Sequence, residues 1–307
     1  MRSTDGGQTW VLIESNLPNS PNRATTTTTA WLRTVEFAGQ DLFFAAGNDE
    51  DASLSSGDIE TDAVFLRSND GGMNWSKRYL DGFKTVFDLR FMDINLGYGI
   101  ASSNTPNEGE SHYQIIRTED GGDNWTNIPT PHDPAGGTGR FLDRAGEVCL
   151  LAETNLNTFV LLTLNSITNE WEESSLPVGV PNDIQFVTSD FALANISGEL
   201  WSTTDGGTNW TLRNTDDAIG FIYFFAADEE NYLLIKRVTQ PDPFAIDGNE
   251  LINYEFFETE DGGINWTSRT VVKECDYEPQ YRVRPIRTPN NGFLTITSKA
   301  NLIRFNG

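Results

Sequence analysis

A chain of 307 residues with 45 acidic against 21 basic side chains carries a net charge of −24, which repels phosphate backbones and anionic lipid surfaces. Nucleic acid is therefore not expected as a partner, and no apolar run reaches the ~18 residues of a membrane-spanning helix. With 11% aromatics, 27 glycines and short alternating apolar runs broken by Gly, Asn, Asp and Pro, the composition points to strands and turns.

The chain opens on STDGGQTW (3–10), and QTWVLIES (8–15) reads as the last strand of a sheet whose other strands lie elsewhere. The start falls inside a motif, so native sequence upstream is expected. A polar segment containing ATTTTTA leads into WLRTVEF (31–37) and DLFFAAG (41–47), then an acidic insert (47–62) and the turn RSNDGGMNW (67–75). The next unit runs TVFDLRFM, LGYGIAS and YQIIRTE into RTEDGGDNW (117–125), and the third runs GRFLDRA and EVCLLAE into a weakened turn, LNSITNEW, ending at Trp171. DIQFVTS and FALANI precede STTDGGTNW (202–210), and GFIYFFA and NYLLIKR precede ETEDGGINW (258–266). YRVRPIR, GFLTITS and NLIRFNG close the chain.

The turn tryptophans Trp10, Trp75, Trp125, Trp171, Trp210 and Trp266 stand 39 to 65 residues apart, the spacing of a repeated four-stranded sheet. The expected fold is all-β: one β-propeller over residues 1–307, with six blades of four antiparallel strands. The N- and C-terminal strands would pair to close the ring and remove a free sheet edge; seven blades is the alternative if sequence is missing upstream. In each turn Asp is expected to accept backbone N–H groups, Gly to adopt positive φ, and Trp to pack between sheets. Asp5, Asp70, Asp120, Asp205 and Asp261, with Trp10, Trp75, Trp125, Trp210 and Trp266, are therefore read as structural.

The form S-x-D-x-G-x-T-W, matched at every defined position by residues 3–10, resembles the Asp-box or bacterial neuraminidase repeat. Such boxes occur in sialidases, xyloglucan-cleaving glycosidases, sortilin-type receptors and the photosystem II assembly-factor family. The DGG-rich form here, with phrases such as FMDINLGYGIAS before it, is most similar to the last of these. The sialidase resemblance implies three arginines around a carboxylate and a Tyr–Glu pair. Arg33, Arg140 and Arg282 start inner strands, with Tyr281 and Glu278 nearby, but the expected early Arg-Ile-Pro signature is absent and RPIRTP (284–289) only echoes it.

Function is expected in the long loops at one mouth of the channel. The insert 47–62 offers Asp49, Asp51 and Asp58 as candidate calcium ligands, but without the spacing of an EF-hand loop, so a solvated acidic loop is the expectation. Two histidines, His112 and His132, and two separated cysteines give no zinc spacing. Cys149 reads as a buried strand residue and Cys275 as a loop residue. No cofactor is expected. The resulting reading is a monomeric, non-enzymatic, secreted or periplasmic propeller that binds a protein or glycan through its loops. A sialidase-like or other glycoside hydrolase, and an assembly factor gripping a partner's extended tail, are the alternatives.

Overall fold

The computed structural model describes residues 29–38, 41–50, 61–103, 113–132, 139–154, 156, 158–165, 168–213, 221–241, 250–274, 286–287, 293–296 and 302–305. Two compact units divide the chain, Met1–Ser174 and Ser175–Gly307.

The first unit is built from three four-stranded sheets. Strands β1 (Thr29–Phe37), β2 (Phe43–Glu50), β3 (Thr61–Ser68) and β4 (Ser76–Leu80) form the first. The second holds β5 (Phe83–Phe91), β6 (Gly97–Ser103), β7 (Tyr113–Thr118) and β8 (Thr126–Ile128); the third holds β9 (Arg140–Arg144), β10 (Glu147–Glu153), β11 (Phe159–Leu164) and β12 (Trp171–Ser175). In the second unit, β13 (Pro181–Phe186), β14 (Ala192–Ile196), β15 (Glu199–Thr203) and β16 (Thr211–Leu212) make one sheet. The next comprises β17 (Phe221–Ala226), β18 (Tyr232–Pro241), β19 (Glu250–Thr259) and β20 (Thr267–Glu274). A three-stranded sheet of β21 (Ile286–Arg287), β22 (Phe293–Ile296) and β23 (Leu302–Phe305) completes it. Every sheet is a meander in which each strand pairs with the next in sequence.

Burial falls off across each sheet in the way the sequence pattern demands. The second strands are apolar on both faces: every residue of β6 and of β14 is buried. The fourth strands β4, β8, β12 and β16 are short, and both residues of β16 are exposed. Successive positions of β6 face opposite ways. Ala101 joins Phe44, Phe65 and Phe91 in a core between the first and second sheets. Tyr98 and Ile100 join Leu150, Leu162 and Leu164 between the second and third. In the second unit Phe191, Leu193 and Leu200 pack on Phe224, Tyr232 and Leu234 in the same manner.

The Asp-box turns connect third strands to fourth strands with one repeated set of bonds. Asp70, Asp120, Asp205 and Asp261 each accept at Oδ1 from the backbone N–H of the Asn four residues on, at 2.8–2.9 Å. The same Asn donates Nδ2–H to the second carboxylate oxygen at 2.6–2.7 Å. A Ser or Thr two residues before the Asp donates to Oδ1 and accepts from the second Gly N–H, as Thr118 does from Gly122 at 2.9 Å. The first Gly donates to the turn between strands one and two of its own sheet, as from Gly121 to Asn95 O at 2.9 Å. One box thus ties both turns at one end of a sheet. Trp75, Trp125 and Trp210 donate their indole N–H to the second Gly carbonyl at 3.0–3.2 Å.

The weakened copy folds differently. Asn165 takes over the turn by accepting from Thr168 N–H, Asn169 adopts φ 56°, and the Trp171 indole donates to Pro129 O instead.

Strands run further than composition suggests in two segments, 47–62 and 237–253. The insert at 47–62 loses Asp49 and Glu50 to β2, where Asp49 lies opposite Asp62. Much of 237–253 is a hairpin, because β18 and β19 pair as far as Pro241 opposite Glu250. Val238, Thr239 and Ile252 are β-formers that favour extending the ladder outward. Cys149 is buried in β10 with a free thiol pushed up to about 11, chiefly by that burial.

Candidate functional site

The first strands of the sheets in the first unit, β1, β5 and β9, lie side by side and carry polar groups at matched positions. Glu36, Arg90 and Asp143 are each the penultimate residue of their strand. Arg90 Nη1 lies 3.5 Å from Glu36 Oε1 and Nη2 lies 2.6 Å from Asp143 Oδ1, so one guanidinium spans three strands. Glu36 Oε1 also accepts from Phe91 N–H at 3.4 Å.

Two residues earlier a second rung repeats the arrangement. Asp88 accepts from the Thr34 hydroxyl at 3.2 Å and Leu89 N–H at 3.0 Å through Oδ1, and from Phe141 N–H at 2.8 Å through Oδ2. The period of two keeps Thr34 with Glu36, Asp88 with Arg90 and Phe141 with Asp143 on common faces. In the second unit Gln185, penultimate in β13, accepts from Ala226 N–H at 3.1 Å and donates to Ala226 O at 3.4 Å.

Burial raises the Glu36 carboxyl above the usual glutamate value, and the Arg90 charge opposes that rise without cancelling it. Arg90 Nε is buried without a partner among the described residues. Glu36 and Asp88 are thus tied to neighbouring strands, and Asp143, 86% exposed, meets Arg90 from the solvent side.

Of the arginines singled out from sequence, Arg33 lies at a bulge, because pairing with β2 skips from Leu32 to Thr34. A bulge turns its residue out of the alternation. Arg33 instead donates Nε–H to Asn48 Oδ1 at 3.4 Å, with its guanidinium 5.1 Å from the Phe87 ring. Arg140 is the half-buried first residue of β9, opposite Leu151. Glu278, Tyr281 and Arg282 lie outside the described residues, as do Asp5, Trp10, Asp51 and Asp58, so no convergence of the expected set is described. No group of three or more His, Cys, Asp or Glu able to hold a metal ion occurs among the described residues.

The rungs stand at strand ends, away from the strand-start arginines that the sialidase resemblance singles out. Their signal is a polar residue at a fixed place before each strand end: VEF (35–37), LRF (89–91), LDR (142–144) and IQF (184–186).

Residues 1–12 match the family model described as BNR/Asp-box repeat. The solved structure "YCF48 bound to D1 peptide" is similar, with a TM-score of 0.50 at 16% identity, covering 91% of this chain and 93% of that one. The fold is that of a β-propeller. Weaker similarities link the propeller to the β-propeller domain of the Trilobed protease from Pyrococcus furiosus, with 11% identity, 92% and 95% coverage and a TM-score of 0.41. Another is to the SapL1 lectin in complex with α-methyl fucoside, with 10% identity, 87% and 89% coverage and a TM-score of 0.38. No curated protein matches the propeller, and no helix among the described residues is long and apolar enough to cross a membrane.

Proposed function

We propose that the propeller is a non-enzymatic binding protein that presents its loop-rich face to a protein or glycan partner. The observation that carries this reading is the engagement of Glu36, Arg90, Asp143 and Asp88 with one another's strands. A hydrolytic site needs carboxylates left to act on a substrate, whereas here these groups hold the scaffold. The similarity to a propeller with a bound peptide puts a polypeptide first among partners. Under this reading residues 1–307 form one monomeric domain of six blades, secreted or periplasmic, with strand 8–15 closing the ring beside β23. The Asp-box residues, including Asp5 and Trp10, serve the scaffold.

The test is an assay of the purified propeller against panels of aryl glycosides and sialosides, alongside peptide and glycan arrays. Saturable binding without turnover is expected. Deleting residues 1–15 is expected to lower Tm sharply; an unchanged Tm would remove ring closure.

A glycoside hydrolase is the second reading, and one observation favours it: a glutamate with a raised pKa is what a general acid requires. Turnover that disappears in Glu36→Gln while the fold persists would put this reading first.

A further inference from the structure

A cleft of about 250 Å³ opens between the outer strands of the first sheet and the Asp-box turn of the second, lined by Phe65, Arg67, Asn69, Ser76, Arg78 and Asp123. It lies on the outer strands, so it stands independently of the inner-strand reading above. Its composition follows from strand register. Phe65 is opposite Arg78 and Arg67 is opposite Ser76, so all four side chains share one face of the β3–β4 pair. Phe65 is buried. Arg67 donates Nε–H to Asn69 Oδ1 at 3.1 Å and Nη1–H to Gly121 O at 3.5 Å, with its guanidinium 5.9 Å from the Phe44 ring, so it is fixed in the wall of the cleft. Arg78 Nη2 lies 2.9 Å from Asp123 Oδ1, in a pair that is about half exposed on both sides.

Two guanidiniums and an amide line the cleft and suit a carboxylate, since the planar Arg fork matches two carboxylate oxygens, while the Ser76 hydroxyl is held by Arg67 O at 3.2 Å. Asp123 shows what the cleft takes, because it is itself a carboxylate resting on Arg78. The corresponding position of the other described boxes is Met73, Thr208 or Ile264, so the turn chemistry does not demand an acid there. The volume falls below the ~300 Å³ of the smallest drug-sized pockets. That admits one side chain or chain terminus more readily than a run of sugar rings.

We propose that this cleft is a binding site for a carboxylate group, and that Asp123 is a built-in competitor for it. Binding removes Asp123 from Arg78 and seats the incoming carboxylate between Arg78 and Arg67. An exposed ion pair is weak, so displacing it carries little penalty.

The experiment is NMR titration of the full chain at about 0.15 M salt, where screening over ~8 Å leaves only nearby charges to act. The probes are acetate, acetamide, a neutral hexapeptide scaffold carrying one Glu, and the same hexapeptide with Gln. Acetate and the Glu peptide are expected to shift resonances of Arg67, Ser76 and Arg78, and their amide counterparts are not. Asp123→Asn is expected to tighten binding by up to about fivefold, the worth of an exposed ion pair. Arg78→Gln should weaken it by roughly tenfold or more, the worth of a charged hydrogen bond. Arg78→Lys, which keeps the charge and the stem, should retain part of the affinity, and its spectrum controls for folding. A Glu peptide at least tenfold tighter than acetate identifies a polypeptide carboxylate as the ligand. Equal affinities identify free small carboxylates. Equal shifts from acetamide, or affinities unmoved by both Asp123→Asn and Arg78→Gln, overturn the proposal.

Discussion

Asp120 takes two hydrogen bonds from Asn124, and together with the Thr118 bond they hold its carboxyl at about 2. Asp70 and Asp261 are held at about 2 by the same bonds from Asn74 and Asn265, and Asp205 is lowered likewise by Asn209. A carboxyl whose folded pKa lies below its unfolded value of about 3.9 contributes stability that is complete above that value and lost as pH falls toward the folded one. Urea midpoints are therefore expected to drop between about pH 4 and pH 2, and Asp120→Asn should flatten part of that slope. A variant whose profile parallels the parent would exclude this turn as a source. Glu36 has the opposite sign, since its raised carboxyl lends stability at low pH that is lost as pH rises. Glycine in the same turn gives a second check. Gly122 has φ +93° and an added Cβ would overlap the Phe65 ring, whereas Gly146 has φ +71° with nothing within 4 Å. Gly146→Ala should cost about 1–2 kcal/mol for the left-handed backbone alone, and Gly122→Ala clearly more, as read by urea unfolding.

At the level of strands, alternation made the inner strands legible and continuous apolar runs the second strands, and the DGG turns marked the third and fourth. The rungs joining β1, β5 and β9 were not legible, because a single polar residue in a strand does not say which neighbour it meets. Arg90 illustrates the point. Its immediate neighbours, Leu89 and Phe91, are apolar, and its partners, Glu36 and Asp143, lie 54 and 53 residues away. Replacing it with Gln leaves two acids facing a lost cation. We expect a loss of about 1–2 kcal/mol, below the ~3–5 of fully buried pairs because the closer partner, Asp143, is 86% exposed and solvent screens that contact. Adding Glu36→Gln should recover part of that loss, and strictly additive effects in the double-mutant cycle would show that the two residues are not coupled.

For the molecule as a whole, the charge of −24 sets a self-repulsion that salt relieves. Raising NaCl from about 0.01 to 0.3 M should therefore raise Tm, as the screening length falls well below the size of the protein. A falling Tm would mean that local ion pairs such as Arg90–Asp143 outweigh the general repulsion. By itself the sequence determined the all-β class, the repeat and the chemistry of the turns, because each depends on residues within a few positions of one another. Asp and Asn four apart, glycines at positive φ and alternation along a strand are local rules. Tertiary structure alone decided which polar side chains meet. The inner-strand rungs and the Arg78–Asp123 pair of the outer cleft arise from register and sheet stacking, which bring together groups some fifty residues apart. The same local pattern would allow several such meetings, and only packing of one sheet on the next selects among them.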